Sequence, residues 1–372
     1  MRERMIDNSI KWNYILIKLL ILFLSEIPIM SEPLDAWWRR PLFIVGTSGL
    51  TQSGNKQMIH IVFKSVAALL LVATSLLANA DNPISSQQTT YHTIQVDNVE
   101  VFYRAAGAKN APVMLLLHGF PSSSHQYREL MPLLAHKYRV IAPDYPGFGN
   151  TKAPPRGEYE YTFDNLANTI EGFTEALELD RFSMYVFDYG APVGFRIAVN
   201  NPEKIAAIVT QNGNAYEAGL SEGWAPIKTY WNDNSQENRD ALRQLLSMQT
   251  TTWQYHEGAP EDRVHMISPD SIAHDQAILD RDAEIQLDLF KSYASNVAAY
   301  PEWQNYLKEN QPPLLAVWAK NDPFFIPAGA EAFKNDVPNA QIEYVDAGHF
   351  PLETHVVEIA DSILNFLSEQ QL

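Results

Sequence analysis

Three side chains, far apart in the sequence but alike in setting, have the types needed for nucleophilic displacement followed by hydrolysis: Asp188, Asp322 and His349. A carboxylate can attack a saturated carbon and become an alkyl ester of the protein. An imidazole can activate the water that cleaves that ester, and a second carboxylate can hold the imidazole in the working tautomer. Asp188 stands between RFSMYVF (181–187), which reads as a short buried strand, and YGAPVGFRIAVNNP, which reads as a helix ending near a proline. Asp322 ends the apolar run PLLAVWAKND, and His349 directly follows AQIEYVDAG. Asp alone at such a turn could simply cap the helix. With Asp322 and His349 at equivalent positions after other strands, where open parallel sheets bind ligands, the chemical reading is the stronger one. Around Asp188 the chain reads Val186-Phe187-Asp188-Tyr189-Gly190, a small-x-nucleophile-x-small elbow except that Val186 is bulky.

The elements that must hold these residues alternate along the chain. TTYHTIQV and VEVFYRAAG flank Asp97-Asn98 as a hairpin, and Val113–Leu117 (VMLLL) has the unbroken apolar character of a strand covered on both faces. A helix is expected over Ser123–Lys137, a strand over Tyr138–Asp144, a helix over Phe163–Leu179 and a strand over Ile205–Gly213. The alternation stops there and resumes at Pro313, with a helix from Ala328 and a last helix over Val356–Glu369. This is an α/β pattern, a mostly parallel sheet flanked by helices. Residues 81–213 and 312–372 form its core, and the aromatic-rich segment 214–311 is a mainly helical lid inserted between two strands.

Composition narrows the partners. The formal net charge of −17 argues against nucleic acid, and the absence of cysteine excludes thiol chemistry and disulfides. The remaining histidines lack metal-ligand spacing, and Gly147-Phe148-Gly149 lacks the third glycine of a dinucleotide loop, so neither metal nor cofactor is expected. From Met58 the chain has Lys64, an apolar run Val66–Leu77 and Ala78-Asn79-Ala80, the order of a signal peptide over 58–80. That order predicts a secreted or periplasmic protein with no stable membrane span, the alternative being a membrane-anchored or cytoplasmic one. Residues 1–57 read as a leader or as sequence ahead of the true start at Met58.

His118-Gly119-Phe120-Pro121, the turn Asp144-Tyr145-Pro146-Gly147-Phe148-Gly149, the Asp188 elbow, Asp322 and Gly348-His349, in this order, resemble the α/β-hydrolase superfamily over residues 89–370. They are most similar to its aspartate-nucleophile branch, the epoxide hydrolases and haloalkane dehalogenases. That resemblance implies Asp188 as nucleophile, His349 as general base and Asp322 as its orienting acid. It also implies the backbone N–H groups of Phe120 and Tyr189 as an oxyanion hole, and a small, largely apolar substrate with water as second reactant. An epoxide oxygen needs a proton donor, which the resemblance places on lid tyrosines, Tyr293 and Tyr230, with Tyr216 or Tyr255 as substitutes for the latter. A halide needs N–H donors, typically a tryptophan after the nucleophile, and that position holds Tyr189. Epoxide hydrolysis to a vicinal diol is therefore the leading expectation. Dehalogenation, another hydrolytic reaction and a non-catalytic binding homologue are the alternatives.

Overall fold

In the computed structural model, which describes residues 88–372, the hairpin forms as β1 (Thr90–Val96) and β2 (Val99–Ala106) with Asp97 in a left-handed turn conformation. The segments 1–57 and 58–80 lie outside the described residues. Six further strands follow: β3 (Val113–Leu117), β4 (Arg139–Pro143), β5 (Phe182–Phe187), β6 (Ile205–Gln211), β7 (Leu314–Ala319) and β8 (Gln341–Val345). They form one sheet in the order β1-β2-β4-β3-β5-β6-β7-β8. β2 pairs antiparallel with β1 and β4, and every other pairing is parallel. Every residue of β5, β6 and β7 is buried, which is why these strands read as continuous apolar runs.

The two faces of the sheet are separate cores. Met114 and Leu116 point to one face, where they pack in a cluster with Leu130 and Leu134 of α1 (Leu130–Leu134) and Ile363 of the last helix. Leu115 and Leu117 point to the other, with Phe163 and Phe173 of α2 (Phe163–Ala176) and Phe195 of α3 (Gly190–Asn200). This strict alternation along one strand is the two-residue period of the pleat. Between Ser123 and Lys137 the expected helix is shorter: a 3₁₀ turn at Ser124–Tyr127, then α1. Pro132 has no N–H to bond the Arg128 carbonyl, and the Ser124 N–H is taken by the Asp144 carboxylate at 2.8 Å.

Residues 214–311 hold α4 (Ala225–Asn232), α5 (Gln236–Ala241), α6 (Met248–His256), α7 (Pro269–Ser292) and α8 (Ala294–Asn310), and no strand of the sheet. After β7 the chain returns to the core through α9 (Pro327–Asp336), β8 and α10 (Val356–Glu369). The insertion therefore leaves and rejoins the sheet at adjacent strands, β6 and β7. Its Trp224, Ile227, Leu245 and Phe290 line a cavity with Asp188 and His349, so it covers the carboxyl ends of the parallel strands. Among the described residues no helix is long and apolar enough to cross a membrane.

Candidate active site

Asp188 sits between the end of β5 and the start of α3 with φ of +48°. That left-handed backbone is tolerated by Asp far better than by a branched residue, and it turns the carboxylate away from the sheet axis. Oδ1 accepts from the Phe120 N–H at 2.7 Å and from the Tyr189 N–H at 2.5 Å. Phe120 can come this close because Gly119 has no Cβ: one would stand 2.4 Å from the Asp188 Cβ. Val186, too bulky for the usual elbow, fits for a related reason. The helix face opposite it is Gly194, where an added Cβ would fall 2.6 Å from Val186 Cγ1.

His349 is brought to the same place from the far side of the sheet. Its Nδ1 donates to Asp322 Oδ2 at 2.9 Å, which leaves Nε2 for the cavity. The other Asp322 oxygen accepts from the Phe324 and Phe325 N–H groups at 2.8 and 3.1 Å. Rings of Phe187, Phe324 and Phe350 surround the imidazole at centroid distances of 4.9 to 5.2 Å and keep bulk water off it. Asn212, itself in a left-handed conformation after β6, accepts from the Ala319 N–H at 2.8 Å and donates to the Ala319 and Phe325 carbonyls. It thereby pins the end of β7 and the loop that carries Asp322.

Electrostatics follow from this packing. Burial raises the Asp188 carboxyl to about 6, against the opposing pull of His349 and the two N–H groups. Burial also penalises protonated His349, but the Asp322 and Asp188 carboxylates outweigh it and raise the imidazole above its ordinary 6.5. Near neutral pH the site is poised to hold an ionised Asp188 beside a histidine that readily accepts a proton. His118 differs: burial lowers it to about 3, and its Nε2 accepts from the Tyr145 N–H, the bonding of a neutral structural residue. Asp144 is likewise a turn residue, accepting from the Ser124 and Asn150 N–H groups.

A cavity of about 40 Å³ opens on Asp188, Tyr189 and His349. Phe120, Ile227, Leu245, Phe290 and Phe324 make most of its wall, with Trp224 and Gln254. The Trp224 N–H is committed to the Phe324 carbonyl at 3.2 Å. The wall is mainly apolar, with Asp188, His349, Tyr189 and Gln254 bringing polar groups to it.

The expected lid acids are not brought together on this wall. Tyr230, on α4, accepts at its hydroxyl from Arg239 Nη1 at 3.1 Å and does not line the cavity. The substitutes are also engaged elsewhere: the Tyr216 hydroxyl donates to Asp336 and the Tyr255 hydroxyl to Asp275. Tyr293, between α7 and α8, lies one layer behind the wall, with its ring 4.4 Å from that of Trp224 and 5.8 Å from that of Tyr189. Its hydroxyl is buried beside that of Tyr300, which also accepts from Asn214 Nδ2 at 3.2 Å, whereas the buried Tyr189 hydroxyl has no hydrogen-bond partner. Two site residues gave no signal in the sequence, Asn212 and Gln254. Asn212-Gly213 directly after an apolar run could have marked a tight turn at a strand end.

Known proteins place this arrangement. The family model of the alpha/beta hydrolase fold matches residues 112–356. An uncharacterized hydrolase of Saccharomyces cerevisiae, YNR064C, is 44% identical over 286 residues, covering 75% of this chain and 97% of its own. A haloalkane dehalogenase of Psychrobacter cryohalolentis is 35% identical over 127 residues, 32% of this chain and 42% of the dehalogenase. The solved structure of potato (Solanum tuberosum) epoxide hydrolase I superposes with a TM-score of 0.62 at 18% identity, over 76% of this chain and all of that one. With strand order and family match in agreement, the chain belongs to the α/β-hydrolase superfamily.

Proposed function

We propose that this hydrolase acts through Asp188 as a nucleophile on a small epoxide. The second Asp188 oxygen attacks the less hindered ring carbon, the C–O bond opens, and the alkoxide takes a proton from a tyrosine. A water that gives a proton to His349 then attacks the ester carbonyl carbon. The oxyanion formed there falls on Oδ1, already between the Phe120 and Tyr189 N–H groups. Collapse expels the diol as an alkoxide that takes one of water's two protons, the other passes from His349 back to the tyrosinate, and Asp188 is left as a carboxylate with one oxygen from water. The observation that carries the reading is that double N–H bond on one carboxylate oxygen, in a cavity shared with an Asp322-bound imidazole.

Epoxide is favoured as substrate by Tyr189, which lines the cavity with Asp188 and has a buried hydroxyl without a partner. Burial holds it well above 10, hence protonated and able to donate. Dehalogenation is the second reading, favoured by the dehalogenase relative and opposed by the committed N–H of Trp224.

The test is intact mass on the full chain carrying His349→Ala, incubated with an equimolar mixture of 1,2-epoxybutane and 1-bromobutane. Without the base the ester should accumulate on Asp188 with the whole mass of the epoxide. An adduct with the mass of a butyl group would make the protein a dehalogenase, and no adduct would remove Asp188 from the nucleophile's role.

A further inference from the structure

Gln254 is 3% exposed, lines the cavity with Asp188 and His349, and its Oε1 is buried with no donor. Its neighbours on α6 are satisfied: Thr251 donates to Gln276 at 2.8 Å and Tyr255 to Asp275 at 2.6 Å. The one unsatisfied amide oxygen of this helix thus belongs to the residue that lines the cavity.

A buried carbonyl without a donor is costly, and native proteins keep such groups where something else supplies the hydrogen. Neither an epoxide oxygen nor a halogen carries a hydrogen to give. The rest of the wall is apolar, committed as with the Trp224 N–H, or, as with the Tyr189 hydroxyl, assigned above to the oxygen of the opening ring. A complementary ligand must therefore bring its own O–H or N–H group, apart from the atom that leaves Asp188's target carbon.

Resting on the reading of Asp188 as nucleophile, we infer that Gln254 selects substrates bearing a hydroxyl or amide N–H beside the reacting carbon over plain alkyl ones. A neutral group fits better than a charged one. The amide offers no charge to a carboxylate, and it offers an acceptor in one orientation and a donor in the other, both of which a hydroxyl can meet. Sites with a polar group that the wrong substrate leaves unpaired discriminate strongly, whereas apolar pockets distinguish one methylene only weakly.

The experiment pairs size-matched probes: glycidol against 1,2-epoxybutane, and 3-bromopropan-1-ol against 1-bromobutane. Each is incubated with full-length His349→Ala protein, and the rate of ester formation is read by intact mass. The hydroxyl-bearing member of the reactive pair should label at least about 10-fold faster. In the double variant with Gln254→Met, close in length and without amide, that ratio should fall to within about twofold of unity. Equal labelling of the pair by the His349→Ala protein overturns the inference, whatever the second variant does. So does a preference that survives Gln254→Met, or an equal slowing of both members, which would assign Gln254 to packing or to holding water. Should Gln254→Met fail to fold, as judged by circular dichroism, Gln254→Leu is read against the same ratio. A His349→Ala protein that takes no label from any of the four probes brings down the Asp188 reading and this inference with it. An adduct without discrimination brings down the inference alone.

Discussion

Burial raises the Asp188 carboxyl from 3.8 to about 6, so its ionised form is held in the native state at a cost. Between those two values the native state binds the proton more tightly than the unfolded chain does. Stability contributed at low pH is therefore lost as pH rises through about 4 to 6. Asp188→Asn removes that cost, and its amide oxygen can still accept from Phe120 and Tyr189. It should raise the unfolding free energy at pH 7.5 by roughly 1–3 kcal/mol, shrink that gain towards zero near pH 4, and abolish ester formation. Thermal melts at both pH values with intact mass check all three outcomes. The same titration governs the proposed first chemical step, which needs the carboxylate ionised. Ester formation in the His349→Ala background removes the imidazole from the profile, and its rate should rise with pH along one acid limb. His349 works against a raised Asp188 value, so deleting it puts that limb no lower than about 6. A pH-independent rate from 5 to 8 would contradict a buried carboxylate as the attacking group.

At the scale of elements, β5, β6 and β7 were legible in the sequence because burial on both faces leaves nothing but apolar side chains between their turns. Their carboxyl ends were legible for the complementary reason, that Asp188 and Asp322 interrupt those runs abruptly. Which faces of the insertion's helices turn inward was not legible. α6 reads MQTTTWQYH with no apolar stripe to say which face is inward, so Gln254 could not be told from a solvated residue. The resemblance pointed to Tyr293 and Tyr230 in the insertion but could not show that one lies a layer behind the wall and the other under Arg239. What joins α6 to the core is equally invisible in one dimension: Tyr255 stacks on Phe350, next to His349, at 4.1 Å and donates to Asp275 of α7. Burial raises Asp275 to about 7 even with that bond, which opposes the rise. Tyr255→Phe keeps the stack and removes the donor, so Asp275 should titrate higher still. The variant should lose about 1–3 kcal/mol of stability, with a larger loss at pH 8 than at pH 6 because the unpaired carboxylate is then ionised. Urea unfolding at the two pH values measures it, and a loss that does not grow with pH would mean that Asp275 stays protonated throughout. Asn212→Ala tests the other joint. Without the side chain that ties the β7 end to the Asp322 loop, His349 loses its fixed partner. Hydrolysis of the ester should slow by about 10- to 100-fold while its formation changes little, resolved by rapid-quench mass measurement.

For the molecule as a whole, the size of the cavity sets the reach of the chemistry. A free volume of about 40 Å³ holds only about two or three waters, so a short substrate must displace nearly all of them and a long one must push the insertion outward. The insertion is tied to the core loops around that cavity by several bonds. Arg281 and Gln286 of α7 donate to the Gly149 and Gly147 carbonyls, and Arg156 forms a two-pronged ion pair with Asp288. Gln286 is fully buried, so displacing α7 leaves polar groups unpaired, while the exposed Arg156–Asp288 pair opposes opening much less. With His349→Ala as the parent, where the ester persists, rates of ester formation along the series 1,2-epoxypropane to 1,2-epoxydecane should therefore peak at about three to five carbons and fall steeply beyond. Gln286→Met, which removes the tie to Gly147 from outside the catalytic residues, should flatten that fall by about 3- to 10-fold for the longest members while leaving the short ones near the parent rate. Labelling that stays level from three to ten carbons in the parent protein would show that the insertion opens freely, and that the ties between α7 and the core do not limit what reaches Asp188.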